Sequence, residues 1–371
     1  MSESGKIVLV VGNGFDLDLG LKTSYKNFWE SEYCPKNYPS PIIRHLNGKW
    51  YKDLNAVRWY DLENELHTFA LSGDKSDVIS EEERSFLQRN SEYDLYNEYI
   101  FLSRCNTFNS LVNKGCIRVE SIPNIKVNVP YHSHYLCPVG WRNKQSLQLI
   151  KDGLCKYLKS VEFSFKTNYN TTVAYNVLQS LFCSLEAGAS LDIFSFNYTH
   201  FPDLGIRLDV PVHYMHGSCE DGKVIIGTRD DLSIEKDYDY LQKAMDPYFN
   251  PPALVKSLRE ADEVIFFGHS LGENDKQYFT SFFRHSASFD SQQSKDITIF
   301  TFDQTAEDDI KRSLNKMTDG NLSVLFSNNN LMFIKTAAIA DDKQKLLEFL
   351  LRHESDERFA RDLVGKLLKS R

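Results

Sequence analysis

The run Ile7-Val-Leu-Val-Val11 constrains the fold more than any other stretch of the chain. It is apolar at every position and rich in β-branched residues, so it reads as a strand covered on both faces. That is the condition of a strand inside a parallel sheet. It runs directly into Gly12-Asn-Gly-Phe-Asp16 and then Leu21-Lys-Thr-Ser-Tyr25, where Thr23 or Ser24 is placed to cap a helix through Phe28 and Trp29. A strand, a glycine turn and a helix let backbone approach a nucleotide closely. The third glycine of the dinucleotide fingerprint is replaced here by Leu17, so the fingerprint is incomplete. Two glycines still leave the amides of Gly12, Asn13, Gly14 and Phe15 as candidates to meet phosphate oxygens; the alternative is a tight strand-to-helix turn.

Further apolar runs at Asp192–Phe196, Val210–Met215, Lys223–Ile226, Glu263–Phe267, Ile297–Phe302 and Leu331–Lys335 predict more strands. Strands alternating with helices predict an α/β fold, a Rossmann-like parallel sheet flanked by helices. Residues 31–58, with Pro35, Pro39, Pro41 and Gly48, read as a loop-rich insertion. Trp59–Leu66 begins a helix whose Asp61, Glu63 and Glu65 suit a capped, solvated start better than acid/base work. Ser80-Glu-Glu-Glu opens another helix, and 143–160 and 170–188 look helical. The expected organisation is a discontinuous α/β nucleotide-binding domain over 1–30 and 189–340, a large mainly helical insertion over 31–188, and C-terminal helices over 341–371. Arg358–Arg371 is basic, but its helical apolar spacing predicts a docked surface helix.

A net charge of −8 argues against a general nucleic-acid binder. Seven cysteines without a Cys-x-x-Cys pair predict reduced thiols and a cytoplasmic protein. No segment approaches the ~18 apolar residues that cross a bilayer, so no membrane association is expected. His132-Ser-His134 and Cys137 are possible metal ligands, but no second cluster has recognised spacing, and no metal is expected.

Four predicted strands end in polar or glycine-rich residues: Gly12–Asp16, Asn197–Thr199, His216-Gly217 and Gly268–Ser270. In an open α/β sheet such ends share one edge, where ligands bind. Asn197 and His216 are the candidate catalytic pair: an amide can donate and accept, and an imidazole titrates near neutral pH. The plainer readings are a strand terminator and a satisfied core histidine. His213 is expected to face away from His216, and His200 is given no role.

Gly12-Asn-Gly-Phe-Asp16 with Leu21–Tyr25, Trp59-Tyr-Asp-Leu-Glu63, Ser195-Phe-Asn-Tyr-Thr199, His216-Gly217, Ile226-Gly-Thr228 and Phe267-Gly-His-Ser-Leu271 with Asp275 together resemble the AbiH abortive-infection family of bacterial antiphage proteins. The same order is similar, more distantly, to the sirtuin-type NAD-binding fold. The resemblance puts Gly12 and Gly14 on the first nucleotide loop, Asn197 and His216 on the catalytic asparagine and histidine, and Gly268 and Ser270 on a ribose-contacting turn. Asp16 stands near a sirtuin serine and Thr199 on a sirtuin aspartate, and the four-cysteine zinc module is missing.

What the resemblance implies is therefore NAD hydrolysis at the nicotinamide–ribose bond, depleting NAD on infection, and not protein deacylation. His216 would be general base and Asn197 would hold the ribose or the water. The implied cofactor-binding set is Gly12, Asn13, Gly14, Phe15, Asp16, Thr199, Gly217, Gly227, Thr228, Gly268, His269, Ser270 and Asp275. Of these, His269 is expected to pack or face solvent with its side chain, and Asp275 to cap the following helix. A phage-derived trigger or protein partner and self-association fit the same picture. A non-hydrolysing NAD or ADP-ribose sensor and a nuclease-type effector are the competing readings.

Overall fold

The computed structural model describes residues 5–38, 40–53, 61–72, 118–122, 125–128, 141–165, 171–204, 206, 210–231, 234, 236–288, 294–354 and 356–369. The expected helix from Ser80, the His132, His134 and Cys137 group, and Trp59 lie outside the described residues. Among the described residues, the strands are β1 (Lys6–Val11), β2 (Arg118–Ile122), β3 (Ile125–Asn128), β4 (Ser190–Ser195), β5 (Val212–Tyr214), β6 (Glu263–Phe267), β7 (Asp296–Thr301) and β8 (Asn330–Lys335). The helices are α1 (Asn13–Asp18), α2 (Tyr25–Glu30), α3 (Pro41–Asp53), α4 (Leu62–Ser72), α5 (Trp141–Ser164), α6 (Val173–Glu186), α7 (Leu254–Glu260), α8 (Lys276–Ser286), α9 (Gln304–Met317), α10 (Leu322–Asn328), α11 (Lys343–His353) and α12 (Glu357–Lys369).

Six strands form one sheet in the order β5-β4-β1-β6-β7-β8, and every adjacent pair is parallel. Counted within the sheet, this is the doubly wound Rossmann order, with the switch point between β1 and β6. Register aligns the carboxyl ends: Val11 pairs with Ser195 and with Phe267, and Ser195 pairs with Tyr214. Gly12, Asn197, His216 and Gly268 therefore leave the sheet along one edge, as the pattern of strand endings predicts.

β1 is buried on both faces, as its composition requires. Ile7, Leu9 and Val11 join a core with α6, α11 and α12, while Val8 and Val10 join another with α7, α8 and α9. The sequence reading places residues up to 188 in the insertion. Val173, Val177, Leu178 and Leu181 of α6 pack in the sheet's core, so α6 belongs to the sheet layers. The C-terminal helices join the same core through Ala360, Val364 and Leu367, which confirms α12 as a docked helix. A third core gathers Phe28, Trp29 and residues of α3, α4 and α5.

Two other expectations change. Residues 41–53, read as loop, form α3: Pro41 stands at its first position, where a missing N–H costs nothing. Lys223–Ile226 is no strand. Val224 and Ile226 are buried in the third core instead, and only an isolated bridge from Thr228 to Gln242 follows. The described cysteines Cys34, Cys155, Cys183 and Cys219 form no disulfide, and no described helix is long and apolar enough to cross a membrane.

Candidate functional site

The loops after β1 and β6 touch backbone to backbone. Gly12 N–H donates to Phe267 O (3.0 Å), Gly14 N–H to Gly268 O (2.9 Å), and Phe15 N–H to Gly12 O (2.9 Å). A Cβ on Gly14 would lie 2.6 Å from Gly268 Cα, and one on Gly268, whose φ is +62°, would lie 2.4 Å from the Gly14 backbone. The glycines are therefore required by the approach of the two loops. Of the four amides expected to cradle phosphate, those of Gly12, Gly14 and Phe15 are donated inside the fold.

A cavity of about 180 Å³ opens over this junction. Gly12, Asn13, Asp16, Asn197, Thr199, His216, Gly268, His269, Ser270 and Asp275 line it, as the sequence reading expects. Gly14, Phe15, Gly217, Gly227 and Thr228 do not. Phe15 is fully buried between Phe201 and Phe267, and Gly217 makes a turn at φ +73° over the Lys223 carbonyl.

At the floor, the loop after β4 reaches the buried carboxyl of Asp16 twice. Asn197 Nδ2 donates to Asp16 Oδ1 (2.8 Å) and to Gly12 O (3.0 Å), and Thr199 Oγ1 donates to Asp16 Oδ2 (2.8 Å). Both Nδ2 protons of Asn197 are thereby used, leaving only its carbonyl oxygen for a ligand. Burial pushes Asp16 up to about 7, against the bonds from Thr199 and Asn197 that lower it. Nearby, Thr23 Oγ1 donates to Asn13 Oδ1 (2.6 Å), and Ser24 is the residue that caps α2.

A second cluster sits beside this one. The ammonium of Lys243, fully buried, lies 3.0 Å from Glu63 Oε2, 3.0 Å from Asp275 Oδ1 and 3.3 Å from His216 Nε2. His216 Nε2 is also 3.4 Å from Asp275 Oδ1. Burial, then the neighbouring Lys243 cation, pushes His216 down to about 3. The imidazole is then neutral at physiological pH and accepts from Lys243, where the sequence reading expects a base titrating near working pH. Burial pushes Glu63 up to about 7, opposed by Lys243. Burial would raise Asp275 as well, but Lys243 and His216 together hold it below the usual carboxylate range. Asp275 is the N-cap residue of α8, yet its side chain makes no cap hydrogen bond and serves the cluster instead. His269 packs against Phe196, accepts from Leu271 N–H at Nδ1 (3.0 Å) and turns Nε2 toward Asp275 Oδ2 (3.6 Å).

Sequence reading missed Lys243, which stands in a short 3₁₀ turn, Lys243–Met245, inside a polar loop. Its position comes from Gly227-Thr228: Thr228 N–H donates to Leu241 O (2.6 Å), Lys243 N–H to Thr228 O (2.9 Å), and a Cβ on Gly227 would strike Leu241 O at 2.4 Å. These two residues, expected to bind cofactor, place the lysine. Glu63, read as part of a solvated helix start, is buried, whereas Asp61 caps α4 by accepting from Asn64 N–H (3.0 Å). The signal for Glu63 was its place in the Trp59–Glu63 motif. Tyr25 and Tyr198, hydroxyls 3.3 Å apart, complete the wall, with Tyr198 donating to Ile225 O (3.1 Å). Outside the cavity, His213 stacks on Phe194, and His200 pairs with Asp203 and Glu220.

The family model described as "Bacteriophage abortive infection AbiH" matches residues 8–294, more than half of the 371 residues. No curated protein matches the sequence.

Proposed function

Because the chain belongs to the bacteriophage abortive infection AbiH family, we propose that its pocket hydrolyses NAD at the nicotinamide–ribose bond when a phage infects the cell. The observation that carries this reading is the convergence of Asp16, Asn197, Thr199 and His216 on one cavity at the sheet's switch point. The order of these residues along the chain also follows the sirtuin-type resemblance.

In the proposed reaction the C–N bond breaks and its electron pair returns to the ring nitrogen, so a cationic base leaves as neutral nicotinamide. Positive charge develops on the sugar as in glycoside hydrolysis, and a water oxygen bonds to C1′. Asp16, poised near 7, takes the proton from that water. Asn197 offers its free carbonyl oxygen to the water or to a ribose hydroxyl, and Thr199 keeps Asp16 in place. His216 acts as a neutral group that accepts from Lys243, not as the base.

The test is to incubate the protein, alone and in infected lysate, with NAD and to follow nicotinamide and ADP-ribose. Both products should form, and Asn197→Ala and Asp16→Asn should each lower the rate by ~100-fold or more, the scale of acid–base contributions. Cells carrying Asn197→Ala should keep their NAD during infection and lose protection. Protection that survives Asn197→Ala overturns the proposal. One observation favours a second reading, binding without cleavage: the histidine that the resemblance makes catalytic is engaged at Nε2 by Lys243 (3.3 Å). Saturable NAD binding with no nicotinamide release in infected lysate would assign it.

A further inference from the structure

The charges of the pocket are separated in space. Among the described residues, its lining carries Asp16, Asp61, Glu63, Glu273 and Asp275 and neither lysine nor arginine. The one described cation beneath it, Lys243, is fully buried and already shared by Glu63 and Asp275. At Glu273 the balance reverses. Arg229 Nη1 (2.6 Å), Lys276 Nζ (2.7 Å) and Lys316 Nζ (3.1 Å) all bond this single carboxylate. That collar sets three cations against one lining carboxylate, although Asp231 also pairs with Arg229. The amides of Gly12, Gly14 and Phe15 are consumed inside the fold. A field of this shape favours a positive group inside and negative groups outside.

We propose that the pocket selects its ligand by a positive charge: it admits the ribosyl end of a molecule bearing a cationic base and leaves any phosphate at the collar of Arg229, Lys276 and Lys316. This rests on the hydrolase reading for the identity of the ligand but not for the selection itself. The ligand class is cationic ribosides, with or without phosphate. The base that enters is one whose charge disappears when its glycosidic bond breaks, so the product loses the attraction that held the substrate.

The experiment measures binding of NAD, its reduced neutral-ring form, ADP-ribose and nicotinamide riboside to the full chain by calorimetry, with nicotinamide release followed in parallel. NAD should bind at least tenfold tighter than the reduced form or ADP-ribose, which carry the same pyrophosphate. Nicotinamide riboside, a cation without phosphate, should bind within tenfold of NAD. Lys276→Gln with Lys316→Gln should weaken NAD several-fold and leave the riboside unchanged. Asp61→Asn keeps a competent helix cap and should narrow the preference for NAD over its reduced form several-fold. Equal binding of the oxidised and reduced forms, failure of the riboside where NAD binds, or no binding by any of the four overturns the proposal. Charge-selective binding without nicotinamide release supports it and removes the hydrolase reading alone; nicotinamide release without charge selection does the reverse.

Discussion

Lys243 is the residue on which the ionic half of the site depends. Its ammonium is fully buried, and it stays charged because Asp275 and Glu63 hold its pKa above the usual lysine value, against the burial that would lower it. Removing one partner from a buried ionic cluster leaves uncompensated charge, which costs ~3–5 kcal/mol, whereas replacing the whole cluster by neutral groups is far less harmful. Lys243→Met should therefore lower the urea midpoint sharply. The triple variant with Glu63→Gln and Asp275→Asn should recover most of the loss. Equal destabilisation of single and triple variants would mean that Lys243 matters for packing and not for charge. Without the lysine, the imidazole of His216 should also titrate above its present value of about 3, readable by NMR, because one of the two groups that lower it is gone.

The loop after β1 and the loop after β6 behave as one element, since each glycine occupies the space that a side chain on the other would need. Gly268→Ala meets both a positive φ and the backbone of Gly14, and should cost at least ~2 kcal/mol with an unchanged dependence on urea. Gly48 in α3 is the contrast, being exposed, with open space for 4 Å around the place a Cβ would take. Gly48→Ala should stabilise by ~0.5–1 kcal/mol through helix propensity alone. If both substitutions are neutral, the loop contact is not tight. The glycines of the paired loops show how far the sequence could be read. Buried β-branched runs and polar strand endings disclosed the sheet, its carboxyl edge and the meeting of Asp16, Asn197, Thr199 and His216, because these follow from local pattern and a general rule of α/β sheets. The partner of each amide was not legible. Gly12 and Gly14 look the same whether they face a phosphate or the chain around Gly268, more than 250 residues away. Lys243 was hidden for a related reason: its environment is made by α4, α8 and the β5 loop, and nothing in Lys-Ala-Met reports it. The prolines of 31–58 misled because Pro41 begins a helix as readily as it ends one.

At the scale of the molecule, the buried carboxyl groups give the fold a pH dependence of definite sign. Burial, the leading cause in each case, raises Asp16, Glu63 and Glu162 to about 7. A carboxyl whose folded pKa lies above its unfolded value binds its proton more tightly in the folded state. Its contribution to stability is thus present below the unfolded value near 4 and is lost as pH rises through 7. His216 works in the opposite sense, since its folded pKa of about 3 makes it lose stability as pH falls below ~6.5, where the unfolded imidazole takes up a proton. Asp275, held low, and Lys243, held high, bring their stability losses only in stronger acid and stronger base respectively. Between pH 6.5 and 8 each raised carboxyl loses stability as pH rises, by up to ~1.4 kcal/mol per pH unit while it titrates, and this outweighs the opposing imidazole contribution, which fades above ~7. Thermal melts across this range should show Tm dropping with rising pH. Asp16→Asn, which keeps an acceptor for Asn197 and a group to pair with Thr199, should flatten the slope and melt higher than the parent chain at pH 8. A Tm that rises from pH 6.5 to 8, or a slope that Asp16→Asn leaves untouched, would show that the carboxyl at the floor of the pocket is ionised throughout. It would then carry no proton into or out of the proposed reaction at neutral pH.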